Sequence, residues 1–204
     1  EACYDTWCLD PSRFTHHADL EFTALKSIED YQSEFRFHMP HEHRPAGRPA
    51  KTTPLTNTLS SMNAEFAMVN GWERAAYFKP SPNFEEELSF RFNNTFDIVA
   101  SEVAAVRNAV GIMEVSGFNR YEITGVGVLD WLDRVVCSRV PRKIGKVGLT
   151  YLLNHHGNVK GEATLANLTE NKIWYGSAAA AEYHDMEWLC ELLPDDGSVH
   201  IKSL

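Results

Sequence analysis

The sequence predicts an α+β fold with a largely antiparallel sheet, and three observations predict it. Apolar residues recur at helical spacing in some segments and at alternate positions in others. The alternating segments are joined by short turn sequences, as hairpins are, and the helical segments are inserted between them. Finally, 204 residues with 44% hydrophobic and 23% charged side chains, 12 Gly and 9 Pro have the composition of a folded globular chain, which excludes collagen, a coiled coil and intrinsic disorder. That length holds one generous domain or two small ones.

Along the chain, the text up to Phe14 is turn-like, with a corner at Asp10-Pro11. Over 18–37, Leu20, Ala24, Ile28, Tyr31 and Phe35 make a helical stripe. Prolines at 40, 45, 49 and 54 then make 39–54 an ordered loop. A short helix is expected over 56–67, ending before the Asn70-Gly71 turn, and 78–82 reads as a linker. Val99, Val103, Val106 and Val110 define a further helix with Gly111 as its C-terminal cap.

Beyond it, 113–115 and 120–124 read as a hairpin through Gly117, with Tyr121 and Ile123 on one face. A helix over 128–136 precedes a strand pair, 149–153 and 159–168, closed by His155-His156-Gly157-Asn158. A strand over 173–176 follows the Glu170-Asn171 turn, and a last helix over 183–193 is stopped by Pro194 and Asp195-Asp196-Gly197. Residues 198–202 begin to alternate again as the text ends, and the text opens without Met or a leader. Both features predict a piece of a longer protein.

The formal charge of −9 disfavours a nucleic-acid partner, because the chain would repel a phosphate backbone. No apolar run approaches the ~20 residues that span a bilayer, so no membrane association is expected. Cys3, Cys8, Cys137 and Cys190 form no scaffold and no C-x-x-C pair, so they are expected to be reduced thiols in a cytosol or an organelle matrix.

Four motifs invite a chemical reading. His38, His41 and His43 beside Glu42 have the donors of a metal site, but Pro40 interrupts them and their spacing matches neither a helix pair nor a finger, so no metal is expected. Gly125-Val126-Gly127 precedes a helix yet lacks the third glycine and the parallel βαβ unit of a dinucleotide fingerprint. There is no nucleophile elbow and no Walker loop. Arg44 and Arg48 in a stiff loop, with Trp72-Glu73-Arg74 further on, either brace that loop through an Arg–Glu pair or present two forks to a polyanionic ligand. Glu162 shares one strand face with Lys160, Thr164 and Ala166, while Val159, Gly161, Ala163 and Leu165 share the other. That face is either solvated or lines a hollow, and enclosure would suit the carboxyl to proton transfer.

Three blocks of text carry a family resemblance. Tyr4-Asp5-Thr6-Trp7-Cys8-Leu9-Asp10-Pro11-Ser12-Arg13-Phe14 resembles the end of the flavin domain of the dimethylglycine dehydrogenase, sarcosine dehydrogenase and dimethylglycine oxidase family. His41-Glu42-His43-Arg44-Pro45-Ala46-Gly47-Arg48 and Asn70-Gly71-Trp72-Glu73-Arg74 resemble its central domain. Val103-Ala104-Ala105-Val106-Arg107, Tyr121-Glu122-Ile123-Thr124-Gly125 and Asn154-His155-His156-Gly157 are similar to the first part of the glycine-cleavage aminomethyltransferase fold.

The resemblance implies three segments: 1–17 as the tail of a flavin domain, 18–78 as central domain and 79–204 as the first part of a folate-binding domain. It implies an enzyme in which FAD, on a domain absent from this chain, oxidises an N-methylated glycine and tetrahydrofolate captures the one-carbon unit, the isolated segment being inactive. Glu162 matches the family's acidic residue that contacts the folate amine and assists proton transfer, where many relatives have Asp; Tyr151 and Asn154 are implied as cofactor-binding with it. Two positions depart from the aminomethyltransferase pattern: its Tyr is Leu149 here and its Asn is Ala178. The resemblance further implies contacts with the flavin domain and the rest of the folate half, leaves a homo-oligomer open, and places the protein in the cytoplasm of a bacterium or the mitochondrial matrix of a eukaryote. The rival readings are a non-catalytic folate-fold module and a folate-dependent aminomethyltransferase-like protein without flavin.

Overall fold

The computed structural model describes residues 6–204, which form two compact units: residues 16–117, and residues 118–204 together with the stretch up to residue 15. Cys3 and the first two residues of the Tyr4 to Phe14 block lie outside the described residues. A 3-10 turn, Trp7–Leu9, and a longer 3-10 segment, Pro11–His17, kinked at Thr15 (φ 59°), occupy the turn-like opening.

In residues 16–117, helix α1 (Leu20–Gln32) starts where the Asp19 carboxylate accepts the Phe22 N–H at 2.8 Å. It is shorter than the stripe over 18–37, because Ser33 already turns its N–H back to Asp30 and Tyr31. The proline-rich loop has no helix or strand, as expected, and ion pairs hold it: Arg44 to Asp30 at 2.6 Å, and Arg48 to Glu73. Helix α2 (Thr56–Ser61) is half the length read from the sequence. Asn63, at φ 62°, ends it, and the residues expected to finish the helix instead open strand β1 (Ala64–Val69).

Strand β1 pairs antiparallel with β2 (Trp72–Phe78) through Asn70 and Gly71, both at positive φ (51° and 83°). Two successive left-handed residues match the right-handed twist of a hairpin, which is why Asn-Gly stands there. Helix α3 (Phe96–Asn108) holds Val99, Val103 and Val106 of the valine stripe, but its last turn closes at Ala109, which donates to the Ala105 carbonyl at 2.9 Å, so Val110 and Gly111 lie past the end and Gly111 is not its cap. The Glu102 carboxylate accepts the Phe78 N–H at 2.8 Å and ties α3 to β2.

The second unit is a five-stranded antiparallel sheet in the order β4-β5-β6-β3-β7. Its elements are β3 (Asn119–Thr124), α4 (Val128–Val135), β4 (Val147–Leu153), β5 (Val159–Thr169), β6 (Lys172–Ser177), α5 (Glu182–Glu191) and β7 (His200–Ser203). Residues 113–115 form no strand; the expected hairpin is replaced by long-range pairing, since β6 and β7 occupy both edges of β3. Alternation decides the faces. Tyr121, Ile123, Leu152, Ala163, Leu165, Ile173 and Tyr175 are buried and pack with Val128, Trp131 and Leu132 of α4 and Leu189 of α5. Each fully buried Leu or Ile there stabilises the fold by about 1.5–3 kcal/mol relative to exposure.

Gly125 joins β3 to the turn before α4. Its φ is +140°, and a Cβ at that position would sit 1.9 Å from the Ser198 carbonyl oxygen. The chain before β7 can cross there only over a residue without a side chain.

Candidate functional site

One face of the sheet is covered by α4 and α5; the other carries the residues for which chemistry was expected. In β5, Ala163 and Leu165 point into the core, so Glu162 and Thr164 point away and are exposed. Among the described residues Glu162 is therefore not enclosed, and they do not form the hollow expected around it. The two-sided division of β5 read from the sequence is observed from Glu162 onward, but the irregularity opposite Leu152 and Leu153 breaks it before that: Val159 is exposed, and Lys160, expected on the face of Glu162, lies instead against the Trp188 ring of α5.

Backbone register gathers the open face into rows. Tyr151 of β4 stands opposite Glu162 of β5. The next row runs Leu149, Thr164, Gly176 and Arg120, and the one beyond it Val147, Ala166, Trp174, Glu122 and Lys202. Gly176 leaves a gap between Thr164 and Arg120, because the nearest atoms to a Cβ there would be carbonyl oxygens 3.8 and 4.0 Å away. Leu149 is 56% exposed and Trp174 42%. Glu122 is held by Lys172 at 3.1 Å and by the Trp174 indole N–H at 3.3 Å, and these two hydrogen bonds keep its carboxyl below the usual range. A hydrogen bond to Glu162, and then its charge, push the Tyr151 phenol above its ordinary range.

Asn154 lies at the end of β4, and its carboxamide oxygen accepts the N–H groups of His156 at 3.0 Å and Asn158 at 2.9 Å, closing the β4–β5 turn. The structure thus brings Tyr151 and Glu162 together and gives Asn154 a role in the turn beside them. Thr164 shares the face, as alternation in β5 predicts; Gly176, Arg120 and Trp174 share it too but were missed in the sequence. Their signal was the alternation in β3 and β6, which needs the cross-strand register to place them beside Glu162.

The face is backed by a buried polar layer. The rings of Tyr121 and Tyr175 stack with centroids 5.6 Å apart; the Tyr175 hydroxyl donates to Asp185 at 2.7 Å and the Tyr121 hydroxyl to the Glu182 carbonyl. Burial pushes both phenols well above their ordinary range. These bonds fix α5 to the sheet, so the opposite face is a stiff platform.

The other sequence candidates resolve into structure. Arg48 makes two bonds to Glu73, at 2.9 and 2.6 Å, and one to the Phe66 carbonyl at 2.7 Å, which spends its fork on bracing the loop. Arg44 holds Asp30 and lies against His38. Among the described residues no group of three or more His, Cys, Asp or Glu converges as a metal site would. Cys8, Cys137 and Cys190 are free and exposed. No helix among the described residues is long and apolar enough to cross a membrane.

Comparison with known proteins agrees with this architecture. The profile of the GCVT N-terminal domain matches residues 55–204, and that of the FAD dependent oxidoreductase central domain matches residues 1–53. Mitochondrial dimethylglycine dehydrogenase of Mus musculus is 30% identical over 193 residues, covering 94% of this chain and 22% of that protein. The mitochondrial pyruvate dehydrogenase phosphatase regulatory subunit of Mus musculus is 28% identical over 208 residues, covering 98% of this chain and 24% of that protein. The chain thus spans less than a quarter of the length of these relatives. The crystal structure of aminomethyltransferase T of the glycine cleavage system from Bartonella henselae superposes with a TM-score of 0.56 at 17% identity, covering 76% of this chain and 38% of that one, and shares the fold.

Proposed function

Because the chain belongs to the GCVT N-terminal domain family, we propose that it is the folate-binding portion of a flavin-dependent oxidoreductase that demethylates an N-methylated glycine. What supports the reading is the order of the two matched segments: oxidoreductase central domain over 1–53, then folate-type domain over 55–204, the same order as in the resemblance to dimethylglycine and sarcosine dehydrogenases.

The open sheet face suits a pterin by its donor set. Glu162 offers a carboxylate to accept ring N–H groups, Leu149 and Trp174 offer apolar surface, and the gap at Gly176 leaves room beside them. Bound tetrahydrofolate supplies nitrogen nucleophiles that take up a one-carbon unit. Glu162 accepts a proton at its carboxylate as such a nitrogen reacts, and Tyr151, opposite it, holds the carboxylate in place. Leu149 and Ala178, at positions where aminomethyltransferases have Tyr and Asn, replace two polar contacts and make the Tyr151–Glu162 pair the main polar anchor. FAD belongs to a domain outside these residues, and no residue here is assigned to it.

Two observations favour a second reading, a regulatory protein that keeps the architecture without catalysis. The phosphatase regulatory subunit aligns over nearly the whole chain, and the described residues of this chain leave Glu162 in solvent. Calorimetric titration of the full-length protein with 5-formyltetrahydrofolate, alongside dimethylglycine-dependent dye reduction, separates the two. Saturable binding that weakens in Glu162→Ala, with turnover, supports the enzyme. Neither binding nor turnover overturns it in favour of the regulatory reading.

A further inference from the structure

The opposite side of the sheet holds a feature that the folate reading does not use. Between α4, the end of β4, and α5 with the loop that follows it lies a recess of about 310 Å³, at the small end of the range for ligand pockets. Its walls are apolar and aromatic, from Trp131, Leu153, Trp188 and Pro194. Its polar lining is cationic or neutral: Arg134 and His155 contribute, and no acidic residue does. In a chain with a net charge of −9, an acid-free recess with a guanidinium at its rim is selective for anions.

The two indoles differ in a way that points to a ligand. Trp131 is 3% exposed, and its Nε1 donates to the Leu192 carbonyl at 2.8 Å, so it is satisfied within the fold. Trp188 Nε1 is covered but has no acceptor among the described residues. A buried N–H without a partner is costly, about 1–3 kcal/mol, and such groups are rare in folded proteins. The ring of Trp188 is flanked by Lys160, whose ammonium lies 4.6 Å from its centroid, and by His155 at 5.6 Å. Both belong to the β4–β5 connection and the first turn of pairing after it, where the side chains border solvent and can turn aside. Lys160 puts a second cation against the Trp188 ring. Arg134 forms no ion pair with any described residue.

We propose that this recess is a binding site for a small organic carboxylate with an apolar body, its carboxylate held by Arg134 and Trp188 Nε1 and its body resting on the two indoles. The site goes beyond the folate reading: Asn154, implied there as a cofactor contact, lines the recess, but Tyr151 and Glu162 stand on the sheet's other face and Arg134 and Trp188 take no part in that reading, so each can fail without the other.

The test uses full-length protein labelled with 5-fluorotryptophan, with benzoate as the probe and benzyl alcohol as its neutral counterpart, read by fluorine NMR. The Trp188 resonance is assigned by its loss in Trp188→Phe. Benzoate is expected to shift it saturably with a Kd of about 1 mM, and Arg134→Gln, a change at an exposed position, to weaken binding about tenfold. An unmoved Trp188 resonance at saturating benzoate, an equal shift with benzyl alcohol, or an unchanged affinity in Arg134→Gln overturns the proposal. Should Trp188→Phe fail to fold, the affinity change in Arg134→Gln decides alone.

Discussion

Tyr151 and Glu162 face each other across the β4–β5 ladder, on the side of the sheet away from α4 and α5, and the carboxylate raises the phenol's titration. A nearby negative charge disfavours forming a second one, so the shift must depend on Glu162 being ionised. Glu162→Gln is expected to bring the Tyr151 titration back down toward the ordinary phenol range. Absorbance titration of Glu162→Gln and wild type, with Tyr151→Phe to identify the signal, measures it. A Tyr151 midpoint that does not move in Glu162→Gln would show that the two side chains are not coupled.

Arg48 and Glu73 form a two-bond ion pair whose side chains are only 16% and 5% exposed, between the proline-rich loop and β2. Removing one partner of a buried pair strands the other charge, at a cost of about 3–5 kcal/mol, whereas replacing both with apolar groups costs much less. Glu73→Ala should therefore destabilise the unit of residues 16–117 by about 3 kcal/mol, and the double variant Arg48→Met, Glu73→Leu by clearly less. Urea unfolding of the three proteins compares them. A double variant at least as damaged as the single one would refute the account.

Asp133 accepts the Val140 N–H at 2.9 Å and is paired with Arg142; the backbone bond, and then Arg142, hold its carboxyl below the usual range. A carboxyl whose pKa is lower in the folded than in the unfolded state contributes stability that is present above the unfolded value, about 3.9 for Asp, and is lost as pH falls through the folded value. Asp133→Asn keeps the acceptor for Val140 but removes the charge. Its stability deficit relative to wild type should be full near pH ~6 and disappear toward pH ~2, as the wild-type carboxyl is neutralised. Urea midpoints at the two pH values give the answer, and a deficit that persists unchanged in acid contradicts it.

The sheet of the second unit was legible because alternation is a local property. Tyr121 and Ile123, or Ala163 and Leu165, announce a buried face whatever their partners are. Pairing is not local. Nothing near β3 says that its neighbours come from residues 172–177 and 200–203, so the residues at 113–115 were given to it instead. The Asn70-Gly71 pair was recognised as a turn, yet the strands on either side were not. Residues 64–67 were read as the end of a helix because α2 and β1 are separated by only two residues. At the candidate site, Glu162 came from a resemblance and its face from alternation. Thr164 came with it by the same alternation, but Gly176 and Trp174 needed the register, and its exposure depends on what packs against the sheet, which periodicity does not encode.

The sheet's two faces also separate two kinds of inheritance. On one, Tyr121, Tyr175 and Asp185 are locked by stacking and hydrogen bonds, so substitutions there are felt by the whole fold. On the other, Val147, Leu149, Glu162, Thr164 and Trp174 are exposed, and a lineage can rewrite them at little thermodynamic risk. One scaffold can therefore pass between enzymes and proteins that have given up chemistry by edits at every second residue.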